Sequence, residues 1–254
     1  MDITYTRLAM GFLLLLIPIY FLQYYKTGLV KDTLLAAARM TIQLFLIGIY
    51  LEFLFKLNNP WVNMLWVAIM IGSASYTVVK RSKLKTGLLW MPVSIAILIS
   101  VFICAGFFLG IVLQLHSTFE ARYFIPICGM VLGNILNTNV ISLNTFYTGI
   151  QREITLYKFS LANGATPAEA QRYFMREALV KSLNPAIATM AVMGLVSLPG
   201  IMTGQILGGS PPSVAIKYQI MIMIVIFSSS LISVLVTLKI STKKAFNRYG
   251  MPRL

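Results

Sequence analysis

One spacing constrains this chain more than any other feature. Stretches of about 20 mostly apolar residues recur along it, separated by short basic loops. Seven stretches qualify, at roughly 8–24, 36–55, 61–79, 87–113, 123–146, 185–206 and 214–238. Each is long enough to cross a hydrocarbon layer about 30 Å thick. Inside such a layer every backbone amide must find its partner within the protein, so apolar runs of this length are helices. Composition agrees: 58% of the 254 residues are hydrophobic and 11% are charged, against about 25% charged in a soluble domain. The predicted fold is all-α and integral to the membrane, with seven transmembrane helices.

The basic residues set the orientation. Lys26, Lys31, Arg39, Lys80, Arg81, Lys83, Lys85, Arg152, Lys158, Arg172, Arg176, Lys181, Lys239, Lys243, Lys244, Arg248 and Arg253 fall on one side of the alternation. Only Arg7, Lys56, Arg122 and Lys217 fall on the other. Cytoplasmic loops carry the excess of Lys and Arg, so the N-terminus is predicted outside and the C-terminus in the cytoplasm. The net charge of +14 therefore reads as topology, and no nucleic-acid partner is expected. The first stretch leads into LQYYKTG, which is no small-residue cleavage site, so it reads as a retained anchor. Cys104 and Cys128 lie inside apolar stretches and read as small buried hydrophobes. With no internal repeat and no soluble insertion of domain size, residues 1–254 are expected to form one transmembrane domain in the plasma membrane.

The exception to this economy is a polar, charged segment at 151–183, placed in the cytoplasm by the charge count. Ile150, Ile154, Tyr157 and Leu161 make one helical stripe. Asn163 and Gly164 stop that helix, since both accept a left-handed conformation. Thr166, Pro167 and Glu169 start another, as N-cap, first residue and capping-box partner. Ala170, Phe174 and Ala178 fall on one side of the second helix, and Asn184-Pro185 is expected to break or bend it. A plain joint between two spans needs only about 2–8 residues. A stiff hairpin with a glycine corner suits insertion into a groove on a partner.

The run LANGATPAEA, followed by REALVKSLNP, resembles the cytoplasmic coupling segment of ATP-binding-cassette permeases. Together with GMVLGN at 129–134, GLVSLPGIMTGQILGG at 194–209 and AIKYQIM at 215–221, it is similar to the FetB-type permease family, described as iron exporters with plant relatives linked to aluminium tolerance. The resemblance is strong in the second half; in the first it rests on length and span pattern. It implies a permease subunit of an exporter, working as a homodimer with two copies of a cytoplasmic ATPase. Leu161, Asn163, Gly164, Ala165, Thr166, Pro167, Glu169 and Phe174 would then couple to the ATPase, with Gly164 at the corner. The chain itself carries no G-x-x-x-x-G-K-[ST] phosphate loop. It is thus expected to be no enzyme and to bind no cofactor directly, ATP and Mg being used by the partner subunit. No Ser/His/Asp or Cys/His set supports catalysis, since His116 is the only histidine.

Polar side chains within the spans are candidates for a translocation path. Asn134, Asn137 and Asn144 share one helical face within roughly 80°, whereas Asn139 and Ser142 point elsewhere. Two readings of the asparagines stay open: glue between helices, or a lining for a hard cation or polar solute. Ser197, Thr203, Gln205 and Gln219 supply further polar atoms, and Glu52 either snorkels to the interface or lines an exit. Gly200 and Gly204, with Gly208, suit close helix packing, while Pro199 beside them is expected to kink the sixth span into a gate. Residues 204–212 could form a short outer or re-entrant loop. Met190, Met193, Met202, Met221 and Met223 fit adaptable packing or a soft metal. No metal ligands can be assigned, because tight iron sites use clustered His, Cys or carboxylates and the spans hold almost none. Competing functions are a membrane sensor or scaffold using the same ATPase joint, and an exporter of a non-metal solute.

Overall fold

The computed structural model describes residues 4–82, 84, 86–115, 119–247 and 250–251. Lys83, Lys85, His116, Arg248 and Arg253, used above, lie outside them. The described residues are almost entirely helical, with one isolated backbone bridge between Met193 and Ser197. The contacts divide the chain into two compact units, 1–57 and 58–254.

The first unit holds helix α1 (Tyr5–Phe12), a 3-10 turn (Leu13–Leu15), α2 (Leu16–Tyr24) and α3 (Val30–Leu57). Along these helices nearly all the large apolar side chains are exposed, from Tyr5 and Leu14 to Ile49 and Phe53. Such a surface is compatible with lipid and not with water.

The second unit opens with α4 (Pro60–Arg81), where the Asn59 side chain accepts from the Trp61 amide and Pro60 takes the first helical position. It continues with α5 (Thr86–Phe107), a π-turn (Phe108–Val112), α6 (Ala121–Arg152), α7 (Ile154–Ala162), α8 (Pro167–Val192), α9 (Gly200–Leu207) and α10 (Pro212–Ala245). Its core is a cluster running from Val67 and Ile71 on α4, through Val93 and Ile97 on α5 and Ile135 and Leu143 on α6, to Val234 and Leu238 on α10.

Two hydrogen bonds fix the register of the central pair. Asn139 donates to Ser233 Oγ at 2.8 Å, and Tyr147 and Ser241 share a hydroxyl bond of 2.9 Å. The sequence offset is 94 residues in both, so α6 and α10 run parallel. Ser233 and Ser241 face α6 across this seam, and Ser142 on α6 and Ser229, Ser230 and Thr237 on α10 are buried as well. Small hydroxyls of this kind let helices approach closely in lipid; Ser142, Ser229 and Ser241 donate to carbonyls on their own helices, and Ser233 accepts from Asn139.

Six helical stretches among the described residues are long and apolar enough to cross a membrane. The sixth predicted span, 185–206, is not one of them. Pro185 does not break its helix, because α8 runs through it from Pro167 to Val192. The break comes later. Gly194 takes φ +85°, its amide donates to Ser197 O at 2.9 Å, and Pro199 serves as N-cap of α9 instead of kinking a continuous helix. Residues 204–207 are likewise helical, leaving 208–211 as the loop. Hydropathy averages across such a break and cannot register it.

Candidate functional site

The hairpin corner is built by local rules. The Gly164 amide donates to Leu161 O and the Ala165 amide to Ser160 O, both at 3.1 Å. This pair of bonds is the Schellman closure, and Gly164 supplies its left-handed residue with φ +90°. Asn163 does not share that role, since its φ is −83°. The next helix starts two residues on. The Thr166 amide and hydroxyl both donate to Glu169 Oε2, at 2.8 and 2.7 Å, and the Glu169 amide returns a bond to Thr166 Oγ1 at 3.3 Å. Those bonds hold the Glu169 carboxyl below its usual pKa, the Thr166 hydroxyl contributing most.

From Ala162 to Glu169 the corner is exposed except for Leu161 before it and Ala165 within it, which are half-buried. Phe174 stands behind the corner, buried against Tyr157 and touching Gly149. Tyr157 is also buried; it donates to Gly250 O at 2.7 Å, and burial raises its pKa, so it stays a donor at physiological pH. Phe246 packs on Tyr147 and Tyr157. The C-terminal tail thereby braces the hairpin from below. Nothing local in the chain signals this brace, because its partners lie some ninety residues apart.

The asparagines separate as their helical phase predicts. Asn139 and Ser142 are fully buried in the α6–α10 seam. Asn134 and Asn137 are exposed and Asn144 is half-buried on the opposite face. Asn134 donates to its own helix at Met130 O, and Asn137 Oδ1 accepts from Arg81 at 3.3 Å. Sequence reasoning missed that contact, which joins α4 to α6 across 56 residues.

The remaining candidates lie around the α8–α9 break. Gln219 is buried, and its amide donates weakly to Met193 Sδ at 3.9 Å. The Oε1 atoms of Gln205 and Gln219 are buried and accept no hydrogen bond among the described residues. Ser197 is exposed, and Thr203 donates to Pro199 O on its own helix. Gly200 and Gly204 are open, with nothing within 4 Å of an added Cβ. Glu52 belongs to the first unit, where it pairs with Lys56 at 3.2 Å in full exposure. That is the geometry of a surface i,i+4 pair. No three His, Cys, Asp or Glu among the described residues converge on a point that could hold a metal.

A helical membrane chain with a preorganised polar corner and a broken helix has known counterparts in sequence. The uncharacterised protein family UPF0014 matches residues 5–246. This chain belongs to UPF0014. It is 33% identical over 232 residues to the UPF0014 membrane protein slr1647 of Synechocystis sp., covering 90% of this chain and 88% of that protein. It is 30% identical over 247 residues to the "Probable iron export permease protein FetB" of Escherichia coli, covering 97% of this chain and 93% of that one. It is also 32% identical over 203 residues to the protein ALUMINUM SENSITIVE 3 of Arabidopsis thaliana, covering 80% of this chain and 72% of that one. No solved structure matches. Membership of UPF0014 and the six apolar helices make this a multi-pass membrane protein. The resemblance that the second half carried in sequence extends along the whole chain.

Proposed function

We propose that this chain is the membrane-spanning permease subunit of an ATP-binding-cassette transporter. It exports a metal ion of iron's kind, driven by ATP and Mg used on a separate ATPase subunit. The observation that carries the reading is the hairpin corner. It is rigid by its Schellman closure and capping box, exposed at its tip, and supported by a buried aromatic cluster. A handle that transmits force needs that combination. The relative named as an iron export permease supplies the direction and the class of cargo.

Two copies would complete the path. Asn134 and Asn137 are costly on a face turned to lipid, and so is open backbone at 193–199. Leu195, at 92% exposure, and Val196, at 81%, project from the same break. A second copy on these faces covers the apolar tip and encloses the polar groups. ATP-driven closure of the two ATPases would move the corners together, and α6 and α8 would carry that shift to the polar face.

The donor chemistry narrows the cargo. With no metal-holding group of His, Cys or carboxylate among the described residues, the path offers amide and hydroxyl oxygens. These suit a hard cation passing without tight binding, or a polar non-metal solute.

The test is affinity purification from native membranes, with the ATPase recognised by its own phosphate loop. Wild type should bring it down together with ATP hydrolysis that a metal salt stimulates. Gly164→Trp, with an unchanged helical spectrum and elution volume, should lose both. Normal co-purification of the ATPase with Gly164→Trp would overturn the coupling role of the corner. Hydrolysis insensitive to iron and other metals would leave the joint standing and reject the metal.

A further inference from the structure

A cavity of about 730 Å³ opens between the start of α8 and the end of α10. Its walls include Gln171, Arg172 and Met175 from α8, and Leu235, Lys239 and Lys243 from α10. Three cations from two antiparallel helices thus surround one space. No Asp or Glu lines it, and none of the three forms an ion pair among the described residues. The only ion pairs there are Glu52 with Lys56 and Glu177 with Lys181. The volume lies within the range of about 300–1,000 Å³ usual for small-molecule sites.

The position of the cavity says which anion fits. On α10 the charge-free run between Lys217 and Lys239 rises about 32 Å at ~1.5 Å per residue, close to the hydrocarbon thickness of about 30 Å. Lys239 therefore marks a membrane interface. Lys243 lies one turn beyond it and Leu235 one turn within. On α10 the cationic groups sit at headgroup level and Leu235 leads from them toward the bilayer; on α8 Met175 adds apolar surface beside Arg172, before the charged Arg176, Glu177 and Lys181. A soluble phosphate would need only the cations. An anionic phospholipid uses both ends of the cavity.

We infer that this cavity binds an anionic phospholipid, with its phosphate held by Arg172, Lys239 and Lys243 and its glycerol and upper acyl carbons along Leu235 and Met175. Arg172 offers a planar fork that matches two phosphate oxygens, and the lysines act as point charges. Basic pockets between helices at an interface recognise headgroups in this way. Pro167 and Ala168 border the same cavity, so an occupied site would stiffen α8 where it leaves the corner. The inference does not depend on the ATPase reading, because lipid retention needs no partner subunit.

The experiment uses the full chain in nanodiscs of phosphatidylcholine with a minor fraction of phosphatidylglycerol, followed by native mass spectrometry of retained lipid. Wild type should retain phosphatidylglycerol over phosphatidylcholine. Arg172→Gln, Lys239→Gln and Lys243→Gln combined should cut that preference on the order of 100-fold. Arg152→Gln, Lys158→Gln and Arg176→Gln combined remove the same charge elsewhere and should leave it intact. Equal retention by both triple variants overturns the inference. So does thermal stabilisation by inorganic phosphate that depends on the three cations while phosphatidylglycerol is not retained, which would assign the cavity to a soluble ligand. Should the first triple variant fail to fold, wild type decides with photoreactive phosphatidylglycerol. Labels on Met175 or Leu235 support the site, and labels confined to other helices overturn it.

Discussion

The corner depends on a few atoms around Thr166 and Glu169. The folded state lowers the Glu169 pKa, through the Thr166 hydroxyl first and the Thr166 amide second. A lowered carboxylate stabilises the fold above its ordinary pKa, and that contribution disappears as pH falls through the folded value. Hydrogen exchange of the Thr166, Ala168, Glu169 and Ala170 amides, corrected for intrinsic rates, should therefore show protection at neutral pH that declines only in acid, below the usual carboxylate range. Glu169→Gln can still accept from Thr166 but does not titrate, so its protection should be flat across the same range. Thr166→Ala removes the cap itself and should cost about 1 kcal/mol at neutral pH, less in acid, where the bond from its hydroxyl to the ionised Glu169 is already lost. These residues were legible in the sequence because capping is local: all the partners lie within three positions. The pairing of Arg81 with Asn137 was not, since nothing in either neighbourhood specifies a partner 56 residues away.

Between elements, the hairpin depends on how closely α8 packs on α6. A Cβ built at Gly149 would lie 3.3 Å from Phe174 Cδ1. The ring has little room to give, with Tyr157 at 6.3 Å and Tyr173 at 5.3 Å between centroids. Gly149→Ala should overpack this contact and cost about 1–3 kcal/mol in detergent unfolding. Adding Phe174→Leu should recover part of that loss, and a cycle showing no coupling would mean that the two residues do not touch. The stripes of Ile150, Ile154, Tyr157 and Leu161 and of Ala170, Phe174 and Ala178 could be read from periodicity; Ile154 and Leu161 are half-buried and the other five buried. The close approach at Gly149 could not, because a glycine in a helix looks alike whether it faces a ring or open space. The broken span was hidden for a different reason. Apolar residues continue through 193–199, so composition stays membrane-like while the hydrogen-bond ladder stops.

At the scale of the whole molecule, the parallel register of α6 and α10 has a topological consequence. Both helices are long enough to cross the bilayer and run in the same direction. If both span, the chain that leaves α6 at Arg152 returns to the opposite side before α10 begins at Pro212. Only α8, the break and α9 lie between them besides the short α7. α8 starts that return, because its first turns pack beside the last turns of α10. A crossing made of a polar-started helix, an open turn and eight further residues fails every hydropathy criterion, yet the register predicts it if α6 and α10 both span. Cysteine labelling tests this directly, since the native Cys104 and Cys128 are buried. Ala165→Cys and Ser210→Cys should react with an impermeant maleimide from opposite faces, Ala165→Cys only in inside-out vesicles if the basic loops face the cytoplasm. Reaction of both from one face would mean that α6 and α10 do not both span, and the count of seven crossings would fall. Opposite faces would place the open turn at membrane depth, where exposed backbone is tolerated only against protein or a water-filled cavity. In that case a cysteine at Leu195, which is almost wholly exposed in the single chain, should cross-link two copies in native membranes.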